Sequence, residues 1–219
     1  AGAQSGWFTG ALSGLTSSTE YFARAYATNL AGTVYGNQVS FHTLAAPSIS
    51  IDISHLDPFG RIVVGSISQV DTLIVAATEL QQDLVISAPS GFQLSLTPTG
   101  RSFSSTLSLS PIIGTISSTP VFVRFAPLQG GNMSDYLSAA SASLDSLVMV
   151  YGVGIVAPAV ITGTATEIGI DSAVLGGSIV SAGWDDIQAA GICYGTAPNP
   201  DINGLHADSG IILGDYSVT

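Results

Sequence analysis

The sequence predicts an all-β protein, and two observations carry that prediction. Hydrophobic residues make up 46% of the chain, but they alternate with Ser, Thr and Gly in short runs, which is typical of strands that bury one face. Turn signals recur between these runs, for example at residues 89–91 and 98–100, as they do in β-sandwiches. Because 219 residues are enough for one or two domains, we expect two sandwiches in tandem.

The middle of the chain predicts one complete sandwich. Ile49, Ile51 and Ile53 alternate with polar residues, and further strands are expected at residues 73–77, 84–88, 92–96, 105–109, 121–125 and 146–153. Residues 134–144 are rich in Ser and Ala and predict a short helix or an edge loop. The runs Pro-Phe-Gly-Arg-Ile-Val-Val-Gly-Ser (58–66) and Val-Phe-Val-Arg-Phe-Ala-Pro (121–127) resemble an immunoglobulin-like module of secreted Bacteroidetes-type proteins. The resemblance implies an immunoglobulin-like β-sandwich over residues 47–156.

The N-terminal stretch has Tyr21 at the start of an alternating strand, directly after the polar turn at residues 16–19. This arrangement resembles the tyrosine corner of fibronectin type III domains, in which the phenol packs inward and its hydroxyl bonds to upstream backbone. Residues 25–41 resemble the last hairpin of such domains in large bacterial surface proteins, and residues 7–15 are expected to supply the preceding strand. Residues 1–44 are therefore expected to be the C-terminal half of a fibronectin type III-like sandwich.

The other half of that sandwich is expected at the C-terminus. Residues 159–166, 172–180 and 187–194 read as strands separated by glycines. The runs Ala-Val-Leu-Gly-Gly-Ser-Ile-Val (173–180) and Ala-Gly-Ile-Cys-Tyr-Gly-Thr-Ala-Pro-Asn-Pro (190–200) resemble the opening of the same bacterial fibronectin-like domains. The resemblance implies that residues 158–219 form the N-terminal half. The two pieces together have the length of one sandwich of about 100 residues, so we expect two tandem modules, one split across the chain ends.

Three arrangements can complete a split module. The chain can be one repeat of a covalent array, a subunit of a filament that exchanges strands with its neighbour, or a circularly permuted monomer in which both halves fold together. The linkers at residues 44–47 and 156–158 are only a few residues long. They favour the two end-to-end arrangements over the monomer.

The charge of the chain disfavours two classes of partner. There are four Arg, no Lys and 15 acidic residues, which give a formal charge of −11. Nucleic acids require clustered Lys and Arg, and anionic membrane surfaces also attract basic segments. No apolar run approaches the roughly 18 residues of a spanning helix, so we expect no membrane insertion.

The residue patterns of catalysis and metal binding are nearly absent. His42, His55 and His206 are scattered, the single Cys193 excludes an internal disulfide, and no nucleophile elbow is present. We expect Cys193 to be a small buried side chain on a central strand, and we expect no enzyme and no cofactor. Acids that could help to bind Ca²⁺ form loose clusters without the spacing of a dedicated loop: Asp185, Asp186, Asp201 and Asp208. The alternative is that they are solvated turn acids.

Aromatic residues supply the candidate contact surface. Phe22, Arg24 and Tyr26 stand two residues apart on one face of the predicted corner strand, where a guanidinium can stack on aromatic rings. They are either framework side chains that neighbours cover, or a contact surface for a sugar, a partner or the next repeat. Trp7 and Trp184 are further candidates for such a surface.

Together these features predict a structural repeat of a giant extracellular bacterial surface adhesin or filament. The resemblance implies a Bacteroidetes-type cell-surface protein secreted beyond the outer membrane, with type IX export. Its expected partners are identical neighbouring repeats or subunits, bound head-to-tail, and surface glycans are the further candidate. Two alternatives are a carbohydrate-binding accessory module that uses the exposed aromatic residues and a linker stiffened by Ca²⁺.

Overall fold

A computed structural model describes residues 6–100, 102–208 and 215–218, the last four by their backbone alone. The all-β prediction is confirmed: the described residues contain strands and no helix, and hence no helix of the length and apolarity that crossing a membrane requires. Residues 1–5, residues 209–214 and Thr219 lie outside the described residues. They belong to the two halves of the predicted split module. The module boundaries 1–44, 47–156 and 158–219 stay a prediction.

Nine strands in the middle of the chain form two sheets packed face to face, which we call the central sandwich. They are β5 (Ser48–Ile51), β6 (Arg61–Val63), β7 (Val70–Thr78), β8 (Leu84–Ser87), β9 (Phe92–Ser95), β10 (Thr106–Leu109), β11 (Ile116–Phe125), β12 (Gly131–Ser141) and β13 (Leu144–Ile155). One sheet has the order β10-β8-β12-β13-β6 and the other β5-β7-β11-β9.

The core of the central sandwich is built from the inward-facing residues of both sheets. Val121, Val123 and Phe125 alternate along β11 and are fully buried, and Val148 and Val150 do the same on β13. Because successive strand residues point to opposite faces, the sequence alternation alone selects these side chains for the core. They belong to a single buried cluster.

The prediction of a helix or an edge loop at residues 134–144 is wrong. Residues 134–141 lie in β12, residues 142–143 form the turn that follows, and Leu144 begins β13. Strand β12 pairs with β13 along its whole length and with β8 at its C-terminal end, and so sits inside the sheet. Leu137, Ala139 and Ser141 are buried, at the period-two spacing of a strand. Pairing on both edges overrides the weak strand propensity of Ser and Ala.

The chain enters and leaves the central sandwich at opposite ends. After β5 it runs parallel to β13, because His55 bridges Met149 in parallel and β6 pairs with β13 in parallel from Arg61↔Val153 to Val63↔Ile155. Ser48 therefore lies beyond the start of β13, whereas Ile155 is its last residue. A 12-residue strand rises about 3.3 Å per residue, so the two points are separated by roughly 35 Å.

The strands outside the central sandwich form small sheets, and their described side chains share no core. The N-terminal ones are β1 (Glu20–Ala23), β2 (Tyr26–Asn29), β3 (Gly32–Tyr35) and β4 (Val39–His42); the C-terminal ones are β14 (Ala159–Thr162), β15 (Leu175–Ser181), β16 (Gly191–Tyr194), β17 (Leu205–Asp208) and β18 (Asp215–Val218). Their sheets are β1-β4, β2-β3, β14-β15-β18 and β16-β17. Residues 6–19 contain no strand, so the strand expected at residues 7–15 is absent.

Among the described residues, neither end segment buries a core of its own. None of residues 6–44 is buried, and Ile179 is the one buried hydrophobic side chain among the described residues from 159 to 208. The contrast with the central sandwich is the main structural fact about this chain. The end segments therefore leave large apolar side chains exposed.

Candidate interaction surfaces

The N-terminal strands β1 and β4 pair into a ribbon that has one apolar face. In their register Tyr21 lies opposite Phe41 and Ala23 opposite Val39, so these four side chains share a face. The rings of Tyr21 and Phe41 stack with centroids 5.8 Å apart. Nevertheless Val39 is 61% exposed and Phe41 36% exposed. We call this the Tyr21–Phe41 face.

Hydrogen bonds at the base of the ribbon hold Tyr21 in place. The backbone N–H of Thr16 donates to the phenolic oxygen of Tyr21 at 2.7 Å, which is the type of upstream backbone contact that a tyrosine corner makes. This hydrogen bond lowers the pKa of Tyr21 below its ordinary value. Thr43, just after β4, donates its hydroxyl to the carbonyl oxygen of Thr16 at 2.6 Å. The turn before β1 is thereby tied to both strands of the ribbon.

The predicted row of Phe22, Arg24 and Tyr26 is interrupted. Strand β1 ends at Ala23 and β2 begins at Tyr26, so Arg24 lies between two strands. Phe22 is 63% exposed and pairs with Ser40 on the face opposite Tyr21. The row is therefore not one continuous strand face.

Arg24 stacks on an aromatic ring that the sequence analysis did not single out. Its guanidinium lies 4.8 Å from the centroid of the Tyr35 ring, and its Nε donates to the carbonyl oxygen of Gly36 at 3.1 Å. Tyr26 pairs with Tyr35 across the β2–β3 hairpin, with ring centroids 6.4 Å apart. The hairpin turn at Asn29–Gly32 was the available signal, because its register places Tyr35 beside Tyr26.

The C-terminal sheets border an open cavity of about 540 Å³ whose lining is mostly apolar but includes Asp171 and Ser172. Leu175 of β15, Ile192 and Tyr194 of β16, and Ala207 of β17 line it. Ile192 and Tyr194 share one face of β16, so Cys193 points to the other face, where it pairs with His206. Cys193 is half-buried, on a strand of a two-stranded sheet and not on a central strand as expected.

A turn after β15 contacts the central sandwich. The N–H of Val156 donates to the carbonyl oxygen of Gly183 at 2.9 Å, and Gly183 has φ = +75°, which favours glycine. The Trp184 ring lies against Gly130, where an added Cβ would be 3.0 Å from the indole. Trp184 is still 54% exposed, and no ring contact or hydrogen bond between described residues joins it to Trp7.

The four candidate calcium-binding acids have separate roles in the described structure. Asp185 forms an ion pair with Arg61 of β6, and the hydrogen bond from Arg61 lowers the pKa of Asp185 below its ordinary value. Asp201 accepts the N–H of Asn203 at 2.9 Å in an Asx turn, and Asp208 pairs with Gly191. Asp186 accepts a hydrogen bond from Gln188 through its backbone oxygen. Among the described residues no three His, Cys, Asp or Glu side chains come together as a metal site.

Comparison with known proteins adds no assignment. No family model and no curated protein matches this sequence.

Proposed function

We propose that this chain is a non-catalytic structural repeat of an extracellular bacterial surface adhesin or filament, completed head-to-tail by the neighbouring repeat or subunit. It comprises an immunoglobulin-like module at residues 47–156 and a fibronectin type III-like module divided between residues 1–44 and 158–219. The observation that carries the proposal is that the described residues of the two end segments fold into strands but bury almost no hydrophobic side chain.

The uncovered apolar side chains supply the driving force for such completion. Residues 6–44 expose twelve large hydrophobic side chains: Trp7, Phe8, Leu12, Leu15, Phe22, Tyr26, Leu30, Val34, Tyr35, Val39, Phe41 and Leu44. Burying one large apolar side chain stabilises a protein by about 1.5–3 kcal/mol, and contiguous exposed patches mark interaction sites. A neighbour that covers several of these residues would be strongly favoured.

The path of the chain supports a head-to-tail arrangement. Residues 43–47 lead into the central sandwich at Ser48, and residues 156–158 leave it after Ile155, roughly 35 Å away by strand rise. Five extended residues span at most about 18 Å. The two end segments therefore start from opposite ends of the sandwich, which favours a linear array over closure within one chain.

A linear array of sandwiches suits an extracellular location. Repeats that each contact only their neighbours can extend a fibre without new chemistry. We infer a bacterial cell surface, reached by type IX export, from the resemblance to Bacteroidetes-type repeat proteins. Antibodies against the purified chain should label intact cells, and labelling only after lysis would contradict this location.

The test of completion is concentration-dependent assembly of the full chain. Light scattering should show linear oligomers, and electron microscopy should show a regular repeat along them. Val39→Asp places a charge on the Tyr21–Phe41 face and should abolish assembly, whereas Ser40→Asp, one residue later on the opposite face, should preserve it. A chain that stays monomeric throughout, and whose two-copy tandem fusion gains no hydrogen-exchange protection at the junction, would refute the proposal.

A second candidate is a carbohydrate-binding accessory module, favoured by the Arg24–Tyr35–Tyr26 stack. Both Tyr side chains are largely exposed, and aromatic rings are common sugar platforms. Loss of glycan binding in Tyr26→Ala and Tyr35→Ala, with binding retained in Tyr136→Ala on the central sandwich, would support this candidate. Absence of any bound oligosaccharide across a glycan array would exclude it.

A further inference from the structure

The C-terminal segment presents a mostly apolar cavity beside the two-stranded β16-β17 sheet. Strand β17 pairs with one edge of β16, and at residues 192–194 no other described strand lies along the second edge. Ile192 and Tyr194 point into the cavity, which Leu175 closes from the opposite sheet. The cavity therefore lies between the β14-β15-β18 sheet and the β16-β17 sheet.

The N-terminal ribbon has the matching features. Its Tyr21–Phe41 face is apolar, and its other face carries Glu20, Ser40 and His42 together with Phe22. The hydrogen bond from Thr16 fixes the Tyr21 ring before any partner arrives, so little side-chain freedom is lost on binding. A ribbon with one apolar and one mostly polar face is suited to covering a cavity from one side.

The charges of the two end segments favour contact between a C-terminal segment and an N-terminal ribbon over contact between two C-terminal segments. Residues 158–219 contain seven acidic residues and no Arg or Lys: Glu167, Asp171, Asp185, Asp186, Asp201, Asp208 and Asp215. Residues 1–44 contain one acid, Glu20, and one base, Arg24. Two C-terminal segments would repel each other, whereas the neutral ribbon meets no such barrier.

The strands of the two segments also add up to a complete module. If β1–β2 and β3–β4 are each taken as one interrupted strand, they extend the β16–β17 sheet to four strands, opposite the three strands of β14-β15-β18. Seven strands in two sheets is the count of a constant-type immunoglobulin sandwich. Between described residues, no hydrogen bond, ion pair or ring contact joins residues 6–44 to residues 158–218 of the same chain.

We propose that β1 of a second copy adds to β16 at residues 192–194, along the edge opposite β17, with its Tyr21–Phe41 face over the cavity lined by Leu175, Ile192 and Tyr194. This inference rests on the proposed head-to-tail assembly and specifies its joint. Strand addition of this kind takes specificity from alternate side chains that enter pockets. It also places the outer face of β1 beside the outer face of β16, where Cys193 lies.

The natural Cys193 makes the joint testable by disulfide formation. Directly opposed residues on neighbouring strands have Cβ atoms about 4.5–5.5 Å apart, close to the span of a disulfide. Glu20→Cys and Phe22→Cys introduce a thiol on the outer face of β1, and the one in register should link to Cys193 of the next copy. Mild oxidation of the full chain should then give a ladder of linked chains on a non-reducing gel.

Controls separate this joint from assembly in general. Ala23→Cys carries its thiol on the opposite face and should give no ladder, and Cys193→Ser should abolish the ladder of the Phe22 and Glu20 variants. Light scattering on the same samples reports assembly independently. Two outcomes would overturn the proposed joint but leave the head-to-tail function standing. One is assembly with no ladder from Glu20→Cys or Phe22→Cys, and the other is a ladder from Ala23→Cys alone. Absence of assembly, or a link within one chain, would overturn both.

Discussion

Phe125 should be the most sensitive position of the central sandwich. It is fully buried, its ring lies 4.9 Å from that of Phe92, and it occupies the space beside two glycines. An added Cβ at Gly152 would lie 2.7 Å from the Phe125 ring, so the ring fills the volume that a side chain at 152 would otherwise take. Phe125→Ala therefore removes a ring that lies beside two glycines, Gly91 and Gly152, which have no side chain with which to fill the gap.

The expected cost follows from this packing. Phe→Ala in a core costs about 3–5 kcal/mol, and the cost is greatest where the site cannot collapse. Strand β11 is paired on both edges, with β7 and β9, so the backbone cannot move in. We expect a loss of about 4 kcal/mol in the free energy of unfolding of the central sandwich.

Native-state hydrogen exchange is the appropriate assay, because a chain with several independent parts does not unfold in two states. A loss of about 4 kcal/mol accelerates exchange of the slowest amides of β7 and β11 about a thousandfold, at 1.4 kcal/mol per factor of ten. Phe22→Ala removes the same ring from an exposed position and should change these rates by less than about threefold. If Phe125→Ala accelerates exchange no more than Phe22→Ala does, the account of the core is wrong.

Three further predictions concern the surfaces and the joint. In Gly183→Ala the new Cβ overlaps the carbonyl oxygen of Val156, so the contact of Trp184 with Gly130 should loosen and acrylamide should quench Trp fluorescence more strongly. Gly60→Ala is the control for backbone strain, because Gly60 has φ = +76° and open space around it, and it should leave quenching unchanged. Arg61 lowers the pKa of Asp185, so the stability that their pairing adds is complete above the unfolded pKa of about 3.9. That stability is lost as the pH falls through the lower folded pKa. A pH titration of Trp quenching should show this transition in the wild type and not in Asp185→Asn. Tyr21→Phe removes the acceptor of the Thr16 N–H and should speed exchange of that amide, whereas Tyr26→Phe should not; equal rates in both variants would contradict the role of the phenol.

Sequence patterns predicted the bounds of several strands of the central sandwich to within one residue. The strands expected at residues 84–88, 92–96 and 105–109 are observed at Leu84–Ser87, Phe92–Ser95 and Thr106–Leu109. The second and third runs alternate apolar and polar residues, the first is a short apolar run, and turn signals separate them. Such local patterns are sufficient to identify strands of this kind. Where the alternation is carried by Ser and Ala, as in β12, the local pattern is too weak and pairing with β13 and β8 decides the structure.

The sequence by itself determined that the chain is all-β, because side-chain alternation and turn residues are local properties. Only the tertiary structure decided which residues meet across long separations: Arg61 with Asp185, Trp184 with Gly130, and Arg24 with Tyr35. It also decided that the chain enters and leaves the central sandwich at opposite ends, through the parallel pairing of β6 with β13. Such pairings depend on register and on the path of the backbone, which no local run of residues encodes.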